Sequence, residues 1–368
     1  MSVVRRIRSV WTPLVLSLVV VATLLAVEAA GDVFLADELE RLFIWMMLVL
    51  GLQIFSGNSG VISFGQVAFM AAGAYFSALL TIPPAVKEFT FADMPGYLSS
   101  WILPAELSAL AGTLAGAALG AVLAAVFGVL IARLDGVGAA IATLAILVIA
   151  NVFITQTPSV TLGTDVITGV PQTATLRGTA VWLVIIIFAA YAFQQSRHGL
   201  RLRASRENED AARSVAVHVR LERYLAFVLS GFVYGLAGAL FAHYFIGFGY
   251  ADFYLGLTFI VIAMLVVGGM TSVAGAVVGT YFLSVIFLVV QRIEVDGVFG
   301  TTAPSGTANL VVAFALLVAL IVRPKGITGG REVPWPARWS RRGGVRQAGT
   351  APARAAVRDA VGKAAPHD

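Results

Sequence analysis

The sequence predicts an all-α fold: a polytopic membrane bundle of about ten transmembrane helices. Three observations carry this. Of the 368 residues, 59% are hydrophobic and only 12% charged, against about 25% charged in soluble domains. The mean hydropathy is +0.89. The apolar residues fall into runs near the roughly 20 residues that a helix needs to cross about 30 Å of hydrocarbon. Unsatisfied backbone in lipid excludes irregular spans, and the alternation of an outer-membrane barrel is missing. Disordered chains and almost any water-soluble enzyme are excluded by the same figures. With no Cys, disulfides and thiolate metal sites are excluded too.

The expected spans are 10–30, 41–56, 66–85, 106–132, 136–156, 179–195, 224–246, 255–269, 273–291 and 307–322. The first follows Arg5, Arg6 and Arg8. It is too long for the apolar core of a signal peptide and lacks a clear cleavage site, so it reads as a retained span. With the N-terminus inside, 21 of the 25 Lys and Arg share one side of the bilayer. They lie in residues 1–9, at Arg133, in 196–223 and after 322. The positive-inside rule therefore places both termini in the cytoplasm. The net charge of +5 belongs to that face, which removes the nucleic-acid reading. Residues 1–326 form the expected transmembrane domain. Residues 327–368, rich in Arg, Ala, Gly and Pro, are expected to be a disordered basic tail drawn to anionic lipid.

The loop 196–223 is the one long charged stretch between spans. Its pattern suits two short helices, the second capped by Asn208 or Asp210. Ala211, Ala212, Val215 and Ala216 then share one face. Such a face suits docking into a groove on a soluble partner. A salt-bridged connector at the membrane surface would show the same charges.

Two Gly-rich stretches fit lipid poorly. One holds Gly57, Asn58, Ser59 and Gly60 with Ser63, Gly65 and Gln66; the other holds Gly268, Gly269, Ser272 and Gly275. Irregular backbone at membrane depth is tolerated where protein buries it or where it lines a cavity. Broken helices carry substrate sites in many transporters, and small residues also let helices pack closely. Both roles stay open. Thr143 and Asn151 lie in the fifth span near one face, lining a pathway or bonding a neighbouring helix. His243 is expected to pack with Tyr244. The spans lack the buried charge chains of ion-coupled carriers. No phosphate loop, paired-carboxylate, metal-ligand or Ser-His-Asp constellation occurs. No catalytic residue, metal or cofactor is expected, and ATP-driven work would need another subunit.

Five ordered stretches resemble the branched-chain amino acid ABC transporter permease family. They are SGNSGVISFGQVAFMAAGAYFSALL at 56–80, RLDGVGAAIATLAI at 133–146, TLGTDVITGVP at 161–171, RASRENEDAARSVAVHV at 203–219 and GGMTSVAGAVVGT at 268–280. The chain looks like the longer of two homologous permease subunits. The resemblance implies that Arg203, Arg206, Glu207, Asn208, Glu209, Asp210, Ala211, Ala212 and Ala216 couple to an ATPase. Ala216 stands where Gly is usual, which keeps the side small but fixes the helix more firmly. The implied partners are a second permease, two ATP-binding subunits, an extracytoplasmic solute-binding protein and membrane lipid. The implied setting is a bacterial inner membrane. The implied activity is ATP-driven alternating access for branched-chain or other hydrophobic amino acids, or for urea, amides or small carboxylic acids. A stand-alone secondary carrier is the alternative.

Overall fold

The computed structural model describes residues 2–296 and 326–334, together with Phe314, Ile321 and Arg323. α1 (Ser2–Ala30) and α2 (Val33–Leu52) meet at a turn where Asp32 accepts a hydrogen bond from the Phe34 N–H at 2.9 Å. α2 then widens into a π turn, Gln53–Gly57. α3 (Gln66–Thr81), α4 (Pro84–Thr90), α5 (Gly96–Ile102) and α6 (Ala109–Ile131) follow. Next come α7 (Gly136–Gln156), a single turn α8 (Pro158–Thr161) and α9 (Leu176–Gln195). α10 (Arg197–Glu207) and α11 (Glu209–Ser214) form the charged loop. α12 (Val219–Tyr244), α13 (Leu255–Gly268) and α14 (Val273–Asp296) complete the described bundle. Two short strands, β1 (Ile167–Thr168) and β2 (Gly247–Phe248), pair antiparallel and tie two connections together at the end opposite the charged loop.

Eight of these helical segments are long and apolar enough to cross a membrane. They correspond to eight of the ten expected spans. The third differs. Expected over 66–85, its helix stops at Thr81, and α4 leaves at 118°. Ile82, Pro83 and Pro84 explain the break: proline lacks the N–H the helix needs and pushes the residue before it into extended backbone. The tenth, 307–322, lies outside the described residues apart from Phe314 and Ile321.

Burial sorts the helices into layers. In their most apolar windows, 89% of residues are buried in the α2 segment and 78% in α12, against 17% in α1 and 28% in α7. α2 and α12 are therefore the centre. The rim helices show apolar side chains such as Leu110, Val126, Ile141 and Phe153 outward, the surface that lipid or another subunit covers. Within the bundle, α3, α6 and α12 approach at backbone distance because glycines face each other. A Cβ on Gly116 would lie 2.6 Å from the Gly73 carbonyl, and one on Gly120 would lie 2.6 Å from that of Gly231. Without a hydrophobic drive between helices in lipid, such close packing supplies the attraction.

The segment after the last span departs from the expected disordered tail. Residues 326–333 fold back onto the turn between α13 and α14, with Ile327 N bonded to Val267 O at 2.8 Å. Backbone pairing at a position where the helix end leaves a carbonyl free holds them there.

Candidate coupling and translocation site

α10 starts on a capped turn, with the Ser196 hydroxyl accepting from Gly199 N at 3.2 Å. It ends where Asn208 turns extended and caps α11, its Oδ1 accepting from Ala211 N at 2.9 Å. Of the two caps the sequence offers, Asn208 is used. The single apolar face expected for α11 is not formed. Ala212 turns inward and is 4% exposed, whereas Ala211, Val215 and Ala216 face outward. α11 ends at Ser214, and Val217 N bonds Ala212 O while Ala216 N bonds Arg213 O. This is a Schellman end, which wants a left-handed residue.

Ala216 takes that position at φ 61°. The expectation that Ala firms the helix is corrected: it forces Ala into the conformation that Gly adopts freely. An Ala216→Gly variant should stabilise this loop by about 1 kcal/mol. Slower hydrogen exchange over 209–217 would show it; faster exchange would count against the strain.

The loop residues divide by direction. Glu207, Asn208, Asp210, Ala211 and Ala216 are exposed. Glu209 instead brackets the fold: its carboxylate meets Arg223 at 2.8 Å and Arg213 at 2.5 Å, and Arg223 also pairs with Asp135 at the start of α7. Arg203 donates from Nη2 to Gln194 O at 2.9 Å. Arg206 donates from Nη1 to Gly57 O at 2.7 Å. That last bond joins the charged loop to the first Gly-rich break, a contact 149 residues apart in sequence.

The two breaks also meet each other. A Cβ on Gly57 would collide with the Met270 carbonyl, and one on Gly65 with that of Thr143. Thr143 is fully buried and spends its hydroxyl on this contact, accepting from Phe64 N at 3.1 Å and donating to Ala140 O at 2.8 Å. Gly60 (φ 76°) lies under the aliphatic stem of Arg206. The Asn58 amide bonds the Gln53 and Ile54 carbonyls at the π turn. Ser59 accepts from Val61 N at 3.2 Å. Several buried polar atoms here have no hydrogen-bond partner: both side-chain amide atoms of Gln53 and of Gln66, Asn58 Oδ1 and Ser63 Oγ. Buried polar groups are rarely left unpaired. Gln53 was not singled out in the sequence; a Gln inside an apolar span was the available signal.

In the second break, Gly268 is pressed against the Gly275 carbonyl and Gly275 against that of Gly269. Close packing thus accounts for these glycines. Ser272 accepts from Gly275 N at 3.0 Å and lies 3.2 Å from the Thr328 hydroxyl. Thr328 donates from both N and Oγ1 to Gly268 O. Glu332 caps α14, accepting from Val273 N at 2.8 Å and Ala274 N at 3.1 Å. Burial pushes its carboxyl above the ordinary carboxylate range, against the pull of those N–H groups, Gln194 and Arg203. Since the folded state holds this proton more tightly than the unfolded chain, the group favours folding most at acid pH. That contribution fades as pH rises through the raised value.

Two expected pathway residues part company. Asn151 lies two turns beyond Thr143 on α7, and its Nδ2 is buried without a partner. His243 packs more specifically than expected, with Nε2 3.1 Å from the Ser77 hydroxyl and Nδ1 3.0 Å from Pro171 O. An apolar cavity of about 430 Å³ opens between α3, α6 and α7, lined by Phe69, Tyr75, Leu123, Phe127 and Phe153 among others.

Comparison with known proteins adds the family. The sequence model of the branched-chain amino acid transport system permease component matches residues 35–321. A probable branched-chain amino acid transport permease protein, LivH, of Methanocaldococcus jannaschii is 26% identical over 155 residues, 41% of this chain and 47% of that protein. The autoinducer 2 import system permease protein LsrC of Shigella flexneri is 30% identical over 148 residues, 38% of this chain and 41% of that protein. The nucleoside ABC transporter permease protein NupC of Lactococcus lactis is 27% identical over 152 residues, 41% of this chain and 38% of that protein. The matched stretch is thus less than half of each relative. No solved structure matches.

Proposed function

This chain belongs to the branched-chain amino acid transport system permease family, and from that premise we propose that it is the membrane-embedded permease subunit of a binding-protein-dependent ABC importer. It is a multi-pass membrane protein; the inner membrane of a bacterium is the proposed setting. The observation that carries the reading is the Arg206–Gly57 hydrogen bond. It joins a charged loop, suited to docking, to a buried break, suited to a path. Two ATP-binding subunits dock on the outward residues Glu207, Asn208, Asp210, Ala211 and Ala216. Arg203, Arg206, Glu209 and Ala212 face inward and carry the movement. A second, homologous permease completes the path, and an extracytoplasmic binding protein delivers the solute. The Arg-rich sequence beyond 334 attracts anionic lipid headgroups.

The path runs past Gly57–Gly60, Ser63, Gly65, Gln66, Thr143 and Asn151, then Gly268, Gly269, Ser272 and Gly275, with Gln53 added. ATP-driven closure of the partner subunits displaces α10 and α11 and rocks the breaks between two arrangements. Branched-chain or other hydrophobic amino acids are one cargo class. The unpaired polar atoms of Gln53, Asn58, Ser63 and Gln66 favour a second: neutral, hydroxyl- or amide-bearing solutes, urea and short amides included. Two relatives are named for autoinducer 2 and for nucleosides.

Charge reversal at both Glu207 and Asp210 tests the docking assignment. The expected result is loss of co-purification with the ATP-binding subunits while membrane insertion persists. Solute transport by the isolated chain in proteoliposomes would instead support a stand-alone carrier and sink the importer reading.

A further inference from the structure

Glu332 stands outside every motif that the loop and the breaks supply. Its carboxylate nevertheless holds the N-terminus of α14 through two backbone N–H groups. Around it, residues 326–333 form a strap across the α13–α14 turn. Ile327 N bonds Val267 O, Thr328 bonds Gly268 O, and Thr271 Oγ1 donates to Gly330 O at 3.3 Å. The strap is also tied to the charged loop. Arg203 of α10 holds Gln194 O, and Gln194 Nε2 donates to Thr271 O at 3.1 Å. Gln194 and the Arg203 charge both act on Glu332. Arg203 Nε is buried and has no acceptor.

The half-buried Arg203 guanidinium keeps one donor unused near the half-buried Glu332 carboxylate, so it is held short of its best pairing. A small displacement of α10 therefore changes the field at Glu332 and the grip of the strap on α14. We propose that Glu332 is a positioning residue for coupled transport, relaying the movement of α10 through the 326–333 strap to the second break. This rests on the importer reading above.

The native chain has no Cys, so single thiols report cleanly. The complex with its ATP-binding subunits is reconstituted carrying either Thr328→Cys in the strap or Val215→Cys on the outward loop face. Alkylation by a maleimide is timed with and without Mg-ATP. The expected result is that the ATP-binding subunits protect the Val215→Cys thiol, and that Mg-ATP changes the Thr328→Cys rate about fivefold or more. Glu332→Gln in the Thr328→Cys background should abolish that response, and Glu332→Asp should restore part of it. A purely structural cap would not make the response depend on ATP. If Val215→Cys is protected but the Thr328→Cys rate ignores ATP, the relay is overturned and the importer reading survives. If Val215→Cys is not protected, docking fails and the relay falls with it.

Discussion

An Arg206→Ala variant of the assembled transporter is expected to hydrolyse ATP while losing about tenfold or more of its solute uptake. The argument starts at one hydrogen bond. Arg206 Nη1 donates to the Gly57 carbonyl at 2.7 Å, and its stem covers Gly60 at the turn that follows. A charge-assisted bond of this kind is stronger than a neutral one, and a buried carbonyl deprived of its donor costs about 1–3 kcal/mol. Since ~1.4 kcal/mol is a factor of ten, one lost bond is enough for the expected effect. Gly57 in turn rests on the Met270 carbonyl, so a displacement entering at Arg206 reaches both breaks. The variant keeps the exposed residues proposed to dock and should still bind the ATP-binding subunits. Arg206→Lys should recover only part of the uptake, because a point charge cannot reproduce both the stem packing and the planar donor. Uptake and ATP hydrolysis measured in the same proteoliposomes decide the matter. Uptake equal to the parent's would remove Arg206 from the coupling route.

That route shows where sequence reading stops. The spans were legible because lipid demands long apolar runs, and the loop helices because Asn208 has a capping side chain at the right place. Both breaks were visible as clustered glycines. What they touch was not, since Arg206 and Gly57 lie 149 residues apart and no local pattern encodes that meeting. Glu209 looked like docking charge, yet it is consumed by Arg223, which the same charge run gave no reason to select. The direction of Ala212 turned on α11 ending at Ser214, a boundary that Ala, an excellent helix former, conceals. Residues 327–333 looked like the start of a polar tail because most strap contacts are to backbone, with only Ile327 and Val333 packing on the core. The third span was overextended because Pro83 and Pro84 were counted as apolar residues rather than as breakers.

A Gly238→Ala variant is expected to be strongly destabilised, because its Cβ would fall 2.0 Å from a backbone carbonyl oxygen of a neighbouring helix. Gly238 sits on α12 against the Met70 carbonyl of α3, and a Cβ there has backbone, not a yielding side chain, in its way. The neighbouring contacts allow little retreat. Gly235 would place a Cβ 2.7 Å from the Gly116 carbonyl, so moving α12 away from α3 disturbs its seat on α6 as well. Overpacking a dense interior costs about 1–3 kcal/mol where the surroundings can adjust; with two helices pinned on facing glycines, the upper end applies. Gly138→Ala is the matched control. It lies in α7, is exposed, and a Cβ there meets nothing within 4 Å. Removing the backbone freedom of glycine in a helix should stabilise that variant by about 0.5–1 kcal/mol. Thermal unfolding in one detergent separates the two, with opposite signs expected. A Gly238→Ala protein as stable as the parent would mean that α3 and α12 slide past each other freely. The rocking proposed for the breaks would then lack a rigid frame.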